Sequence, residues 1–362
     1  MSLDELRAKI DEIDYQIISL LAQRFFLSKK IGQIKSRSGL SIKDEVREAE
    51  VTRRWVENAR KLGVPEELVR EIVSKVLYFS KRVQIVNESP KRVTLVGYGG
   101  MSRSLARLLV NAENKVVITG RDPKKAEEAA RETGGVYMPL DDALEWGDYV
   151  ILALPPEAIT GTFVPNLAPR LKGKTVMDVL SVKRGAFDFL EKLSREFSFR
   201  YVSTHPLFGP LSNPIGENIV IIPSRTSGDL TDVTNMWRSA GLSVVITDAE
   251  THDRAMAVVQ VLSHFFVLAL KESYERLSKE LGVSKELDKL QTVTYKELLR
   301  IIERVSSQMD VTMEIQRNNP YAYIAREVGI KTVSELYERL EGRAVHPQER
   351  LGLVDPEGKD RQ

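Results

Sequence analysis

A multidomain protein of α and α/β type is expected from three features of the sequence. Apolar residues recur at Leu3, Leu6, Ile10, Ile13, Ile17, Leu20, Leu27, Ile31 and Ile34, the alternating three-four spacing of a helical seam. The strand-like run Val93-Thr94-Leu95-Val96 then enters Gly97-Tyr98-Gly99-Gly100, and strand and helix patterns alternate after it. From Thr251 onward the pattern is helical, with apolar stretches Val258-Val259-Gln260-Val261-Leu262 and Phe265-Phe266-Val267-Leu268. These features predict a three-helix module over 1–88, a doubly wound α/β domain over 91–248, a helical domain over 249–341 and a polar tail over 342–362.

Composition narrows the function classes. Lys and Arg number 53 against 51 Asp and Glu, so bulk electrostatics would not drive binding to nucleic acid or a membrane surface. Any anionic ligand must be held by local cations. No uninterrupted apolar run approaches 18 residues, and Met1-Ser2-Leu3-Asp4-Glu5 does not resemble the start of a signal peptide, so a cytoplasmic protein without spanning helices is expected. The absence of cysteine excludes disulfides, thiolate metal sites and a cysteine nucleophile. No metal is expected.

The first seam implies a helix of about 35 residues, roughly 50 Å long. A ninety-residue module cannot cover that length alone, so the seam is expected to pack against a second copy, making at least a homodimer. Ser38-Gly39 ends this helix, Ser41 is a candidate cap for the next, and Pro65 starts a third reaching about Val86. The polar residues do not suit an ordinary bundle. Arg24 interrupts the seam, Arg7 and Lys35 flank it, Asp44, Arg47 and Glu48 share a face of the second helix, and Ser80 and Gln84 lie one turn apart. A lattice of interhelical salt bridges would explain any one of them. Several cations converging with few anions are better explained as a set by a polyanionic ligand.

These residues resemble the all-helical class of chorismate mutase, through Leu6-Arg7-Ala8-Lys9-Ile10, Leu20-Leu21-Ala22-Gln23-Arg24, Gly32 to Lys35, Asp44 with Arg47-Glu48, and Ser80 with Gln84. The resemblance covers the whole front module and implies two intertwined chains forming two sites. It implies that Arg7, reaching into the neighbour's site, acts with Arg24 and Arg47 on the two carboxylates of chorismate. By the same resemblance Lys35 and Gln84 bond the ether oxygen, while Asp44, Glu48 and Ser80 hold the hydroxyl and complete the pocket. The residue types suit that chemistry. The rearrangement to prephenate is pericyclic and needs only a compact conformation and positive charge at the breaking ether bond.

Asn87-Glu88-Ser89-Pro90-Lys91 is the first linker. Strand patterns follow at 93–97, 115–119, 149–154, 175–180, 200–204, 218–222 and 243–247, with helical patterns at 102–111, 123–133, 185–196 and 229–240. Gly97, Tyr98, Gly99, Gly100, Met101 and Ser102 join the first strand to a helix, the context of a Rossmann-like pyrophosphate site. Ser102 stands where a third glycine is usual and is small enough for the same packing. No acid at 119–121 is available for an adenosine ribose, and Asp122 before Pro123 reads as a helix cap. Arg121, with Thr119 and Lys124, suits a 2′-phosphate, which favours NADP over NAD; a solvent-facing arginine beside a cap is the alternative.

Two further loops carry chemistry. Asp178-Val179-Leu180-Ser181-Val182-Lys183 leaves the strand at 175–180, and Thr204-His205-Pro206-Leu207-Phe208-Gly209-Pro210 leaves the strand at 200–204. A histidine before proline is commonly a structural turn residue. His-Pro-x-x-Gly-Pro and the Ser-Val-Lys turn nevertheless resemble prephenate dehydrogenases, a resemblance that makes His205 acceptor of the substrate's C4-hydroxyl proton and places Ser181 and Lys183 at the substrate. In the rear helices, Ser263-His264 resembles that family's substrate-facing pair, and Arg304 its carboxylate-binding arginine, while Val267 departs from relatives with a second histidine there. Their bland readings are a satisfied core histidine and an exposed helix cation. Nearly the whole chain thus resembles the bifunctional chorismate mutase/prephenate dehydrogenase family. An arogenate-preferring dehydrogenase, or a front module that only dimerises or binds effectors, is the rival reading.

Overall fold

The computed structural model describes residues 2–341 apart from Val86, Glu88, Ser212 and Asn213, with the side chain of Ser36 also outside the description. The expected polar tail lies outside the described residues. The described residues form two compact units, one running up to Ser181 and including Gly185–Ala249, the other made of Val182–Arg184 and the residues from Glu250 onward.

The first unit opens with three helices, α1 (Leu3–Arg37), α2 (Glu45–Leu62) and α3 (Glu66–Arg82). Asp44, not Ser41, caps α2: its carboxylate accepts the Arg47 backbone N–H at 3.0 Å. A carboxylate at the positive end of a helix is the stronger cap. Ser41 instead meets the Ser243 hydroxyl at 2.8 Å. Gly63, at φ 72, closes α2 in the left-handed conformation, and Pro65 leads into α3. Val56, Ala59, Val69, Val73 and Val76 pack α2 against α3. The α1 seam stays open, with Ile10 56% and Leu20 63% exposed, so this chain alone does not bury it.

Eight strands follow: β1 (Arg92–Val96), β2 (Lys115–Thr119), β3 (Val136–Tyr137), β4 (Tyr149–Leu152), β5 (Thr175–Asp178), β6 (Arg200–Pro206), β7 (Asn218–Pro223) and β8 (Ser243–Ile246). They form one sheet in the order β3-β2-β1-β4-β5-β6-β7-β8. The strands through β6 are parallel, β7 runs antiparallel to β6, and β8 is parallel to β7. Helices α4 (Gly100–Asn111), α5 (Pro123–Thr133), α6 (Leu140–Trp146), α7 (Pro156–Thr160), α8 (Phe163–Leu167), α9 (Ala186–Glu196) and α10 (Thr231–Ser239) cover it. Burial alternates with the pleat: Val93, Leu95 and Ile151 enter one core with residues of α4, α5 and α10, while Val96, Val150 and Leu152 enter another with residues of α6 to α9. The two-residue β3 and the short α6, α7 and α8 lack the length to show a period in the sequence.

The second unit is helical. A continuous run of α11 (Ala249–Met256), a π-helix over Ala257–Leu262 and α12 (Ser263–Glu280) is followed by α13 (Val293–Ser306), α14 (Met309–Asn318) and α15 (Ala322–Glu341). Its described core is small, built on Val182, Val261, Ile315 and Ala322. Ala249–Glu280 reaches a mean hydropathy of 1.5 over 18 residues with 17% of that window buried, so it is long and apolar enough to cross a membrane by length and composition alone. An interface helix of a soluble protein has the same character.

Candidate functional site

The front helices gather several of the expected residues. The Arg24 guanidinium on α1 donates to the Ser80 hydroxyl on α3, and Ser80 donates onward to the Val76 carbonyl at 2.6 Å. Burial, with Arg47 nearby, holds the Arg24 pKa below the ordinary arginine value. An anion arriving there would relieve both effects. Glu48 receives the Lys81 ammonium at 3.0 Å through Oε2, while its Oε1 is buried without a hydrogen-bond partner among the described residues. Lys35 donates to the Ile42 carbonyl at 2.9 Å.

Gln84 sits just past the end of α3, its N–H on the Lys81 carbonyl at 3.1 Å and its buried Oε1 without a described partner. Gly32 makes this junction possible: a Cβ there would lie 2.2 Å from the Gln84 carbonyl oxygen. Lys35 and Gln84 line one cavity of about 500 Å³, whereas Glu48 and Lys81 line a second of about 400 Å³ between α2 and α3. Asp44 and Arg47 are engaged locally, the latter with Glu50 at 2.6 Å. Arg7 is not brought to the cluster. It lies roughly 25 Å along α1 from Arg24, 68% exposed and 3.7 Å from Asp4.

The glycine turn adopts a phosphate-compatible form. Gly97 has φ 126, and a Cβ there would meet the Ala153 carbonyl at 2.2 Å; Gly99, by contrast, has open space around it at the N-terminus of α4. The Ser102 hydroxyl donates to the Gly97 carbonyl at 2.6 Å, so the serine in place of a third glycine ties the turn shut. Pro210 stands 2.8 Å from where a Gly100 Cβ would be, and the Tyr98 ring equally close to one on Gly120, so both positions require the missing side chain. Tyr98 and Met101 are half-buried along this turn. Asp122 caps α5 as expected, accepting the Lys124 and Lys125 N–H groups at 3.1 and 3.2 Å. Arg121 and Lys124 are exposed beside that cap, whereas Thr119 is fully buried and its hydroxyl has no described partner.

His205 lies on β6 opposite Val220 and is 2% exposed. Beside it on the sheet, Asp178 closes β5: its carboxylate accepts the Tyr201 hydroxyl at 2.7 Å and the Leu180 N–H at 3.0 Å. Burial, then the Asp178 charge, raises the Tyr201 pKa well above that of an ordinary phenol, so it stays a hydrogen-bond donor. Ser181 follows, half-buried.

In the second unit, Lys183 is buried, and its backbone N–H and that of Arg184 both donate to the Asp253 carboxylate at 3.1 Å. His252 Nδ1 lies 2.9 Å from the same carboxylate. Asn319 fixes the Asp253 carbonyl at 2.9 Å. The π-helix delivers Ser263 and His264 at the start of α12; Ser263 is exposed. Burial and then the Arg304 charge lower the His264 pKa, leaving a neutral imidazole whose buried Nδ1 has no described partner. Arg304 is exposed near the end of α13.

Known families match the chain in three consecutive stretches: chorismate mutase type II over residues 6–85, NADP oxidoreductase coenzyme F420-dependent over 92–182, and prephenate dehydrogenase, dimerization domain, over 248–346. A chorismate mutase of Methanocaldococcus jannaschii is 34% identical over 82 residues, 23% of this chain and 83% of the relative. The T-protein of Enterobacter agglomerans is 26% identical over 80% of this chain and 76% of its own. This chain belongs to the chorismate mutase/prephenate dehydrogenase family.

A probable arogenate/prephenate dehydrogenase of M. jannaschii is 28% identical over 72% of the chain, which spans only 57% of that relative's length. The fold is shared with a crystal structure of A. aeolicus prephenate dehydrogenase in complex with hydroxyphenyl propionate and NAD+, at a TM-score of 0.54 and 22% identity over 70% of this chain and 93% of that one. Against this family background, two positioning contacts stand outside the residues expected from sequence. Lys81 follows Ser80 and reads as surface until α2 and α3 are docked. Asp253 was visible beside His252, but its partners stand about seventy residues earlier.

Proposed function

We propose that the chain carries out two successive steps of tyrosine biosynthesis, rearranging chorismate to prephenate and oxidatively decarboxylating prephenate to 4-hydroxyphenylpyruvate. What carries this reading is the pairing, in one chain, of front helices that bring Arg24 and Arg47 together, as a rearrangement of a dicarboxylate needing no nucleophile requires, with a glycine turn opening α4. In the first step Arg24 and Arg47, with Arg7 of a second copy, hold the carboxylates. Lys35 and Gln84 stabilise charge on the ether oxygen as its bond breaks, and Asp44, Glu48 and Ser80 hold the hydroxyl.

The turn from Gly97 to Ser102 fits a dinucleotide: the outer side of Gly99 is open and the first N–H groups of α4 face outward to a pyrophosphate. When bound, the dinucleotide supplies the hydride acceptor. His205 takes the C4-hydroxyl proton as the hydride leaves C4 and the ring carboxylate departs as carbon dioxide. Lys183, Ser181, Ser263, His264 and Arg304 bind prephenate. Exposed Arg121 and Lys124, with no ribose-binding acid at 119–121, favour NADP over NAD. The open α1 seam and the apolar faces of α12 and α15 support a homodimer, and a cytoplasmic enzyme is the accompanying reading.

The test is a coupled assay of the chain with chorismate and either dinucleotide, following chorismate loss and cofactor reduction together. Both signals are expected, with NADP the faster. Oxidation of added prephenate without loss of chorismate would favour the rival in which the front helices only dimerise or bind an effector. Oxidation of arogenate ahead of prephenate would favour the other rival.

A further inference from the structure

The larger cavity has two walls of different origin. One is the mutase side, with Lys35 and Gln84; the other is α10 of the sheet, including Asn235 and Arg238. Its volume of about 500 Å³ falls within the range of small-molecule sites. The contact between the walls is close: Arg238 Nη1 lies 3.9 Å from a Cβ placed on Gly39, in the loop after α1. That loop is also held by the Ser41–Ser243 bond and by Lys43 packed on Gly216.

The charges on the two walls are not balanced. Asp232 is paired with Arg200 at 2.7 Å and accepts the Tyr149 hydroxyl at 2.6 Å, which leaves Asp229, bonded through Oδ1 to the N–H and hydroxyl of Thr231, as the one lining carboxylate with no ion pair among the described residues. Two of the lining cations also lack one. Arg37 and Arg238 form no side-chain hydrogen bond or ion pair among the described residues, yet both face this cavity together with Lys35. Two unpaired guanidiniums and an ammonium around one concavity make a focused positive potential beside the groups assigned to the ether oxygen. Nothing in the mutase mechanism uses either arginine.

We propose that this cavity is an anion-collecting vestibule of the mutase pocket, and that Arg238, supplied by the sheet, determines how readily a dicarboxylate reaches Lys35 and Gln84. The inference rests on the front reaction proposed above. It makes the mutase step depend on the dehydrogenase half for substrate capture rather than for chemistry. Chorismate and prephenate are both dicarboxylates, so the same cations act on substrate arrival and product departure.

Full-length Arg238→Ala, Arg238→Lys and Arg238→Glu, with Arg37→Ala as an independent variant, are compared for mutase kinetics between about 0.02 and 1 M salt, where the screening length falls from tens of ångströms to about 3 Å. At low salt Arg238→Ala is expected to lose roughly threefold to tenfold in kcat/KM, mostly through KM, with Arg238→Glu losing more and Arg238→Lys staying near the parent. The differences should close at high salt. Prephenate-dependent cofactor reduction in the same preparations reports folding. Unchanged low-salt kcat/KM in Arg238→Ala and Arg37→Ala, or a salt-independent fall in kcat, overturns the vestibule while leaving the mutase reading intact. Failure of the parent chain to consume chorismate removes both.

Discussion

The Asp253 carboxylate accepts the backbone N–H groups of Lys183 and Arg184, both at 3.1 Å, and so clamps the turn after β5 to α11. The carboxylate is buried, and His252 Nδ1 stands 2.9 Å away. Asp253→Asn keeps the shape but loses the charge and half the acceptor capacity. One buried N–H is left unpaired, which costs about 1–3 kcal/mol. Thermal unfolding should therefore shift down. If the clamp places Lys183 for substrate, KM for prephenate should rise by about tenfold while mutase turnover is unaltered. A variant with lowered stability and unchanged KM would reduce Asp253 to a structural role.

Arg7 and Lys35 stand near opposite ends of α1, too far apart to serve one site within a chain. In a two-fold dimer each site would take Arg7 from one copy and Lys35 from the other. Arg7→Ala and Lys35→Ala homodimers should each lack mutase activity. Unfolding and refolding them together at equal concentration should restore about one quarter of parental activity, because half the dimers are mixed and each mixed dimer has one intact site. No recovery despite verified subunit exchange would place Arg7 in its own chain's site or outside the mechanism.

The limits of sequence reading show at particular residues. The α1 seam, the glycine turn and the Asp122 cap were legible because each is a local pattern whose physics acts within one helix or turn. Ser102 was legible as a tolerated small residue, but its bond to the Gly97 carbonyl was not. Ser41 and Asp44 both stand where a cap belongs, and only the Asp44 carboxylate reaches the Arg47 N–H. Nothing local to Lys81 or Asp253 signals a role, because those roles depend on docking between elements far apart in sequence, Glu48 with α3 and Lys183 with α11. The vestibule was beyond reach for the same reason: nothing local to Arg238 indicates that Lys35 stands across a cavity from it.

Arg200, Asp232 and Tyr149 join β6, α10 and β4 where these two strands begin. Partial burial would raise the Asp232 pKa, but bonds from Arg200 and Tyr149 outweigh it and bring it from 3.8 down to about 2. A carboxylate with a depressed folded pKa stabilises above its unfolded value, and that contribution is lost as pH falls through the folded one. The window here is pH 3.8 to about 2. Solvent screening of this partly exposed group leaves on the order of 1 kcal/mol. Arg200→Gln should therefore be less stable than the parent at pH 6, with the difference shrinking toward pH 2.5 in thermal melts. A difference independent of pH would assign the effect to packing.

Arg121 is exposed at the end of β2 beside the capped N-terminus of α5. A guanidinium there can form charge-assisted bonds with a 2′-phosphate and has no equivalent partner in NAD. Arg121→Ala should lower kcat/KM for NADP by about tenfold to a hundredfold, the equivalent of one or two such bonds, and change that for NAD little. Equal losses with both dinucleotides, or a parent enzyme that strongly prefers NAD, would rule out the phosphate role.

His205 is the residue on which the proposed second reaction would depend most directly. It is held on β6 between Thr204, whose hydroxyl donates to the Asp178 carbonyl at 2.5 Å, and Pro206, which fixes the backbone where the strand ends. Asparagine at this position can accept a hydrogen bond but cannot take up a proton at neutral pH. His205→Asn should therefore retain dinucleotide binding and lose about 10²–10⁴ in dehydrogenase kcat, the usual contribution of a positioned base. Mutase turnover, which uses none of this machinery, serves as the internal control for folding. If dehydrogenase kcat survives the substitution while dinucleotide binding is intact, the proton goes elsewhere and His205 is structural. If both activities fall together, the substitution has damaged the fold of the first unit, and His205→Gln, with its longer reach to the same hydroxyl, separates geometry from proton transfer.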